Sequence, residues 1–184
     1  VLFSSMFGGI EVIWDKQFGF LKETLVAPVP RTVIMLGRTL GGATVATLQG
    51  IFVFILTLFV GFRPEISPFL LLAPFYMLLF AILFTALGTA IASRLNDMQA
   101  FPLVMNFLIM PMFFLSGALF PIDQLPAALK FVVQVNPVSY GVDGMRILLI
   151  HLGHFSLLLD VVVLAVVASL CIAVGAVLFK RIEA

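Results

Sequence analysis

Four stretches of this chain carry no charged residue: 39–60, 66–93, 100–120 and 161–179. Each approaches or exceeds the ~20 residues that a helix rising 1.5 Å per residue needs to cross a ~30 Å hydrocarbon core. Charged residues are 10% of the chain and hydrophobic ones 62%, where a soluble domain has roughly 25% charged. A polar surface cannot be built from so little, so the sequence predicts an integral membrane protein. In bounds, the membrane helices fall at 31–62, 66–93, 100–121 and 156–179, within a single transmembrane domain covering 1–184. Residues 1–10 are apolar but short, and read as the end of a membrane helix that begins upstream.

Against this background one polar segment stands out. Residues 11–38 hold four of the ten basic residues and three of the nine acidic ones. Trp14, Phe18, Leu21 and Leu25 follow one another at steps of four, three and four, so they line one face of a helix. Asp15, Lys16, Lys22 and Glu23 fall off that stripe. The pattern predicts an amphipathic helix lying along a membrane surface. Pro28 and Pro30 end it, since each lacks an N–H and pushes the preceding residue out of the helical region. Two readings remain open: a passive interfacial anchor, or a docking surface for a soluble partner. Just beyond, Gly37 and Gly41 offer a small-residue face for close helix contact. Pro102 and Pro111 are candidate kinks in the third run.

Residues 122–155 are different. Asp123 followed by Pro126 reads as a helix start, and Asn136-Pro137 ends one helix and caps the next. The two helices expected here are too short to cross a bilayer, so they predict a re-entrant or interfacial hairpin. If the 11–30 segment is cytoplasmic, Lys16, Lys22, Arg31, Arg38, Arg94, Lys180 and Arg181 share its side. Arg63, Lys130 and Arg146 take the other. Positive charge collects on cytoplasmic loops, so the surface helix and the C-terminus are expected inside.

The uncharged runs contain no ionisable residue of the kind that ion-coupled pumps use at depth. No G-x-x-x-x-G-K-[ST] phosphate loop occurs either, so ATP is not bound in that manner. Work done here must then arrive through another polypeptide. His151 and His154 stand three apart, but two imidazoles are too few for a structural zinc site even with Asp160 nearby. Neither metal nor cofactor is expected. Asp143 and Arg146 fall at i, i+3 and predict a local ion pair, with a gate role as the alternative. The phenylalanines and methionines read first as packing and lipid-facing residues. Cys171, the single cysteine, leaves no intrachain disulfide. A net charge of +1 gives no argument for a nucleic-acid partner, and none is expected.

Phe20-Leu21-Lys22-Glu23-Thr24-Leu25-Val26-Ala27-Pro28-Val29-Pro30-Arg31 resembles the signature of ABC transporter permeases of the type-2 export family. The runs Phe114-Leu115-Ser116-Gly117-Ala118-Leu119-Phe120-Pro121 and Asn136-Pro137-Val138-Ser139-Tyr140-Gly141-Val142-Asp143-Gly144-Met145-Arg146 are similar to that family's other two recognisable stretches. The likeness is greatest to the daunorubicin-resistance and nodulation-export type. It implies an all-α, polytopic membrane helix bundle with a cytoplasmic coupling helix and an outer re-entrant hairpin. It implies a plasma-membrane export subunit for a hydrophobic or amphipathic substrate such as a drug, lipid or glycan. The partners implied are two copies of a separate ATPase subunit, a second permease subunit and membrane lipid. ATPase docking would fall on Trp14, Phe18, Leu21, Lys22, Glu23, Leu25, Pro28, Pro30 and Arg31, with the coupling helix at 14–26. An outer gate would involve Pro121, Asn136, Pro137, Tyr140, Asp143 and Arg146. Lys22 departs from the acidic or small residue that many relatives carry there. The competing expectation is a non-transporting scaffold that recruits a cytosolic partner through the same helix.

Overall fold

The computed structural model describes residues 1–20, 29–65, 67–119 and 126–180. Among these residues the fold is a helix bundle without strands. Its helices are α1 (Leu2–Phe7), α2 (Ile10–Gln17), α3 (Arg31–Phe59), α4 (Ala73–Ala92), α5 (Ala100–Phe114), α6 (Ala127–Val135), α7 (Pro137–Ile150) and α8 (Leu157–Lys180). A 3-10 turn, Pro68–Leu72, leads into α4. Among the described residues, three helical stretches are long and apolar enough to cross a membrane: Arg31–Phe59, Pro68–Ala92 and Leu157–Leu178.

The centre of the bundle is α4, which touches α1, α2, α3, α7 and α8. Its buried positions include Ala81, Thr85, Ala86, Gly88, Thr89 and Ala90. Small side chains let neighbouring backbones come close, and close packing is what holds helices together where lipid offers no hydrophobic gain. The tightest approach is at Gly88, where an added Cβ would run into the Met6 carbonyl. On the other helix, a Cβ on Gly9 would strike the Gly88 backbone. Gly8 and Gly9 both keep helical dihedrals, so α2 continues the course of α1 across that crossing.

The small-residue face of α3 is not the expected one. A Cβ on Gly37 or Gly41 would meet nothing within 4 Å, whereas one on Gly42 would press on Thr85 at 2.8 Å. Ala43, Ala46 and Gly50 continue the buried face. Gly42, Ala46 and Gly50 share a 3.6-residue stripe with Thr39, and the Gly37–Gly41 stripe lies off it.

Three further expectations are corrected. The helix predicted over 14–26 is interrupted, because α2 stops at Gln17 and Gly19 takes φ +81. The third apolar run is helical only as far as Phe114. Leu115 leaves the helix and Gly117 turns at φ +76, so α5 rises only about 22 Å. Finally, α8 starts at Leu157 and carries Asp160 in its first turn. With Arg31 and Arg38 near the start of α3, two of the spanning helices therefore contain charged residues near an end.

Candidate functional site

The polar side chains gather at the two ends of α4. Near its C-terminus lie α2 and the start of α3. Val12 and Ile13 are buried and form the packed face of α2, while Trp14 is 45% and Phe18 69% exposed. The aromatic stripe read from the sequence thus points away from the bundle. Its two described members sit on the face opposite the packing face.

Asp15 and Lys16 are not idle on a solvated side. Arg38 of α3 donates to the Asp15 carboxylate, forming an ion pair. The Lys16 Nζ donates to the carbonyls of Ser93 (2.6 Å), Leu95 (3.1 Å) and Ala92 (3.3 Å). Partial burial pushes the Lys16 pKa below that of a free lysine. Gln17 donates from Nε2 to the Asn96 carbonyl at 3.0 Å. Pro30 is extended (φ −55, ψ 135) and its carbonyl accepts from Val33 and Ile34. It therefore caps α3, which Arg31 opens. Leu21, Lys22, Glu23, Leu25 and Pro28 lie outside the described residues.

At the other end, α7 builds a compact corner. Asn136 caps it: its Oδ1 accepts from Val138 N–H at 3.0 Å and its Nδ2 donates to the Met112 carbonyl at 2.6 Å. Pro137 occupies the first turn, where a missing N–H costs nothing. Tyr76 donates to the Tyr140 carbonyl and Tyr140 to the Gln134 carbonyl, each at 2.6 Å. The Tyr140 ring stacks on Phe155 at 5.0 Å. Gly141 and Gly144 are as small as they are because the Phe80 and Tyr76 rings lie against them.

The ion pair expected between Asp143 and Arg146 is not formed. Asp143 is 3% exposed and accepts from the backbone N–H groups of His154 (2.7 Å) and Phe155 (2.8 Å). Arg146 donates from Nη2 to the Gly117 carbonyl at 2.9 Å. Each charge finds a backbone partner in a neighbouring turn, and two directed bonds outweigh one solvent-screened pair. His151 sits at φ +55 beyond the end of α7, with Nε2 3.3 Å from Glu65. Among the described residues no three metal-ligating side chains converge. Pro121 lies outside the described residues.

Sequence reasoning missed two members of this corner. Tyr76, from the middle of an apolar run, supplies the bond that joins α4 to α7. Asp160 is fully buried and neither of its oxygens accepts a hydrogen bond. Its place in the first turn of α8 is where a helix best tolerates negative charge. An apolar cavity of about 620 Å³ lies beside the corner between α1, α4, α5 and α7, with Arg146 on its wall.

Residues 1–150 match the family described as ABC-2 type transporter. The chain belongs to that family. This ABC-2 chain is 32% identical over 156 residues to a putative transport permease, ycf38, of Pyropia yezoensis, covering 80% of this chain and 53% of the relative. It is 31% identical over 127 residues to the inner membrane transport permease YadH of Escherichia coli (strain K12), covering 68% and 48%. It is 30% identical over 125 residues to nodulation protein J of Rhizobium meliloti (strain 1021), covering 65% and 47%. The ABC-2 chain thus spans about half the length of these relatives. Its helices and its family make it a multi-pass membrane protein of the ABC-2 type.

Proposed function

We propose that this chain belongs to the membrane permease subunit of an exporter driven by a separate ATPase subunit. Two permeases and two ATPase subunits would assemble, and a hydrophobic or amphipathic substrate would pass between the permeases. The observation that carries this reading is the two-faced character of α2. One face is packed on α4 and the other presents Trp14 and Phe18 to the outside. Its polar residues are meanwhile tied to α3 and to the end of α4. Exposed aromatics on a firmly held support are what a partner needs to push against.

Docking is assigned to Trp14, Phe18, Leu21, Lys22, Glu23, Leu25, Pro28, Pro30 and Arg31, on the cytoplasmic side where the positive charges collect. The C-terminus lies on the same side of the plasma membrane. The corner of Asn136, Pro137, Tyr140, Asp143 and Arg146, together with Pro121, is assigned to the outer face, where it would close the pathway. Opening would need two packings of similar energy.

The test is a full-length protein carrying Phe18→Asp and Glu23→Lys, reconstituted with its ATPase in vesicles. Membrane insertion should be unchanged while export per ATP hydrolysed falls about ten-fold. Export per ATP equal to that of the parent protein would refute the assignment. A parent protein that retains no ATPase would favour the scaffold reading.

A further inference from the structure

The three protons of the Lys16 ammonium are used up on three carbonyls at the C-terminus of α4, at 2.6, 3.1 and 3.3 Å. They belong to the last residue of α4 and the turn after it, where the helix's partial negative charge falls, so a cation is well placed there even though the Ala92 carbonyl also accepts from Leu95 N–H at 3.2 Å. Gln17 adds a bond to Asn96, and Asp15 ties the same turn of α2 to Arg38. Two turns earlier, Gly9 and Gly88 bring the two backbones into direct contact. Helix α2 is therefore fixed to α4 near both of its ends, at two points about 10 Å apart along α2. Just past the second point, Gly19 turns the chain away at φ +81.

We propose that Lys16 is a positioning residue for energy coupling, latching α2 to the C-terminal carbonyls of α4 so that a push on the segment beyond Gln17 enters the bundle through α4. This rests on the reading that a partner ATPase acts on that segment. The covalent route out of the segment leads into α3, whose described contacts are with α1, α4 and α8. The latch opens a second route into the helix that touches α1, α2, α3, α7 and α8. Through the Tyr76 bond to Tyr140, that helix also reaches the corner at its far end. Without the latch, motion of the segment would be taken up by rotation about Gly19 and by loosening of the loop after α4.

The experiment uses the full-length permease with its ATPase in vesicles, as Lys16→Met and Lys16→Arg. Methionine keeps the apolar stem and removes every donor; arginine keeps the charge and can still reach carbonyls. Lys16→Met should retain the ATPase to within about two-fold of the parent, as a substitution away from the docking face would. Its export per ATP hydrolysed should fall about ten-fold, with Lys16→Arg restoring most of it. Unchanged export per ATP, loss of the ATPase from Lys16→Met, or no restoration by arginine would each overturn the proposal.

A second measurement does not depend on the ATPase. Spin labels at Glu11→Cys and Arg94→Cys, in a Cys171→Ser background, should give a narrow distance distribution that broadens in Lys16→Met. Equal widths would overturn the latch. If the parent retains no ATPase, the proposed function fails, and the distance measurement still decides whether Lys16 holds α2 to α4.

Discussion

The two ends of α4 are both tied by a side chain bonded to backbone, Lys16 at one and Tyr76 at the other, yet they are built differently. At the α7 end the side chains are buried: Asp143 is 3%, Tyr76 4% and Tyr140 9% exposed, and both tyrosines bond to carbonyls within the corner. At the α2 end the Asp15 and Arg38 side chains are 20–24% exposed, and Trp14 and Phe18 lie open beside them. A buried charge that loses its partners pays the full cost of desolvation, while a half-exposed one turns to water. One end is thus expensive to disturb. At the other, water can replace a lost polar partner, so a single polar substitution there should cost less, while the Gly9–Gly88 contact and the Lys16 bonds keep α2 in place.

The sharpest way to break this contrast is Asp143→Ala. It strands the N–H groups of His154 and Phe155 and removes two charge-assisted bonds, so it should cost about 3 kcal/mol in denaturant unfolding of the detergent-solubilised protein. A loss below about 1 kcal/mol would mean that the corner is as loose as the α2 end. Tyr76→Phe should cost about 1 kcal/mol, since one hydrogen bond goes and the ring packing stays. Asp15→Asn should be the mildest, under about 1 kcal/mol and diminished further by salt. A larger, salt-independent loss there would show the α2 end to be a rigid corner too.

What could be read from the sequence follows from how local each signal is. Asn136 followed by Pro137 announces a helix start by backbone chemistry alone, and α7 begins there. The uncharged runs locate apolar helices because charge at depth is costly whatever the neighbours are. Face assignments were less secure. Trp14 and Phe18 form an apolar stripe, but so do Met6, Gly9, Val12 and Ile13, and periodicity cannot say which one meets α4. Gly37 and Gly41 have the spacing of a contact motif, yet Gly42 and Gly50 make the contact. Asp143 and Arg146 have the spacing of an ion pair, but backbone groups from distant turns compete successfully for both. The last uncharged run begins only at Val161, but the helix begins at Leu157, near the expected 156, and takes Asp160 into its first turn. The glycine contacts and the Arg146 bond depend on partners far away in the chain.

The meeting of Gly9 and Gly88 has a mechanical corollary. No side chain cushions that crossing, so the two backbones have little room to shift there and α4 can pivot on it as a rigid rod. Lys16 grips the rod about 7 Å from it and Ala73 lies about 22 Å away on the other arm. For such a lever, a shift of one ångström at the grip becomes roughly three at the far tip.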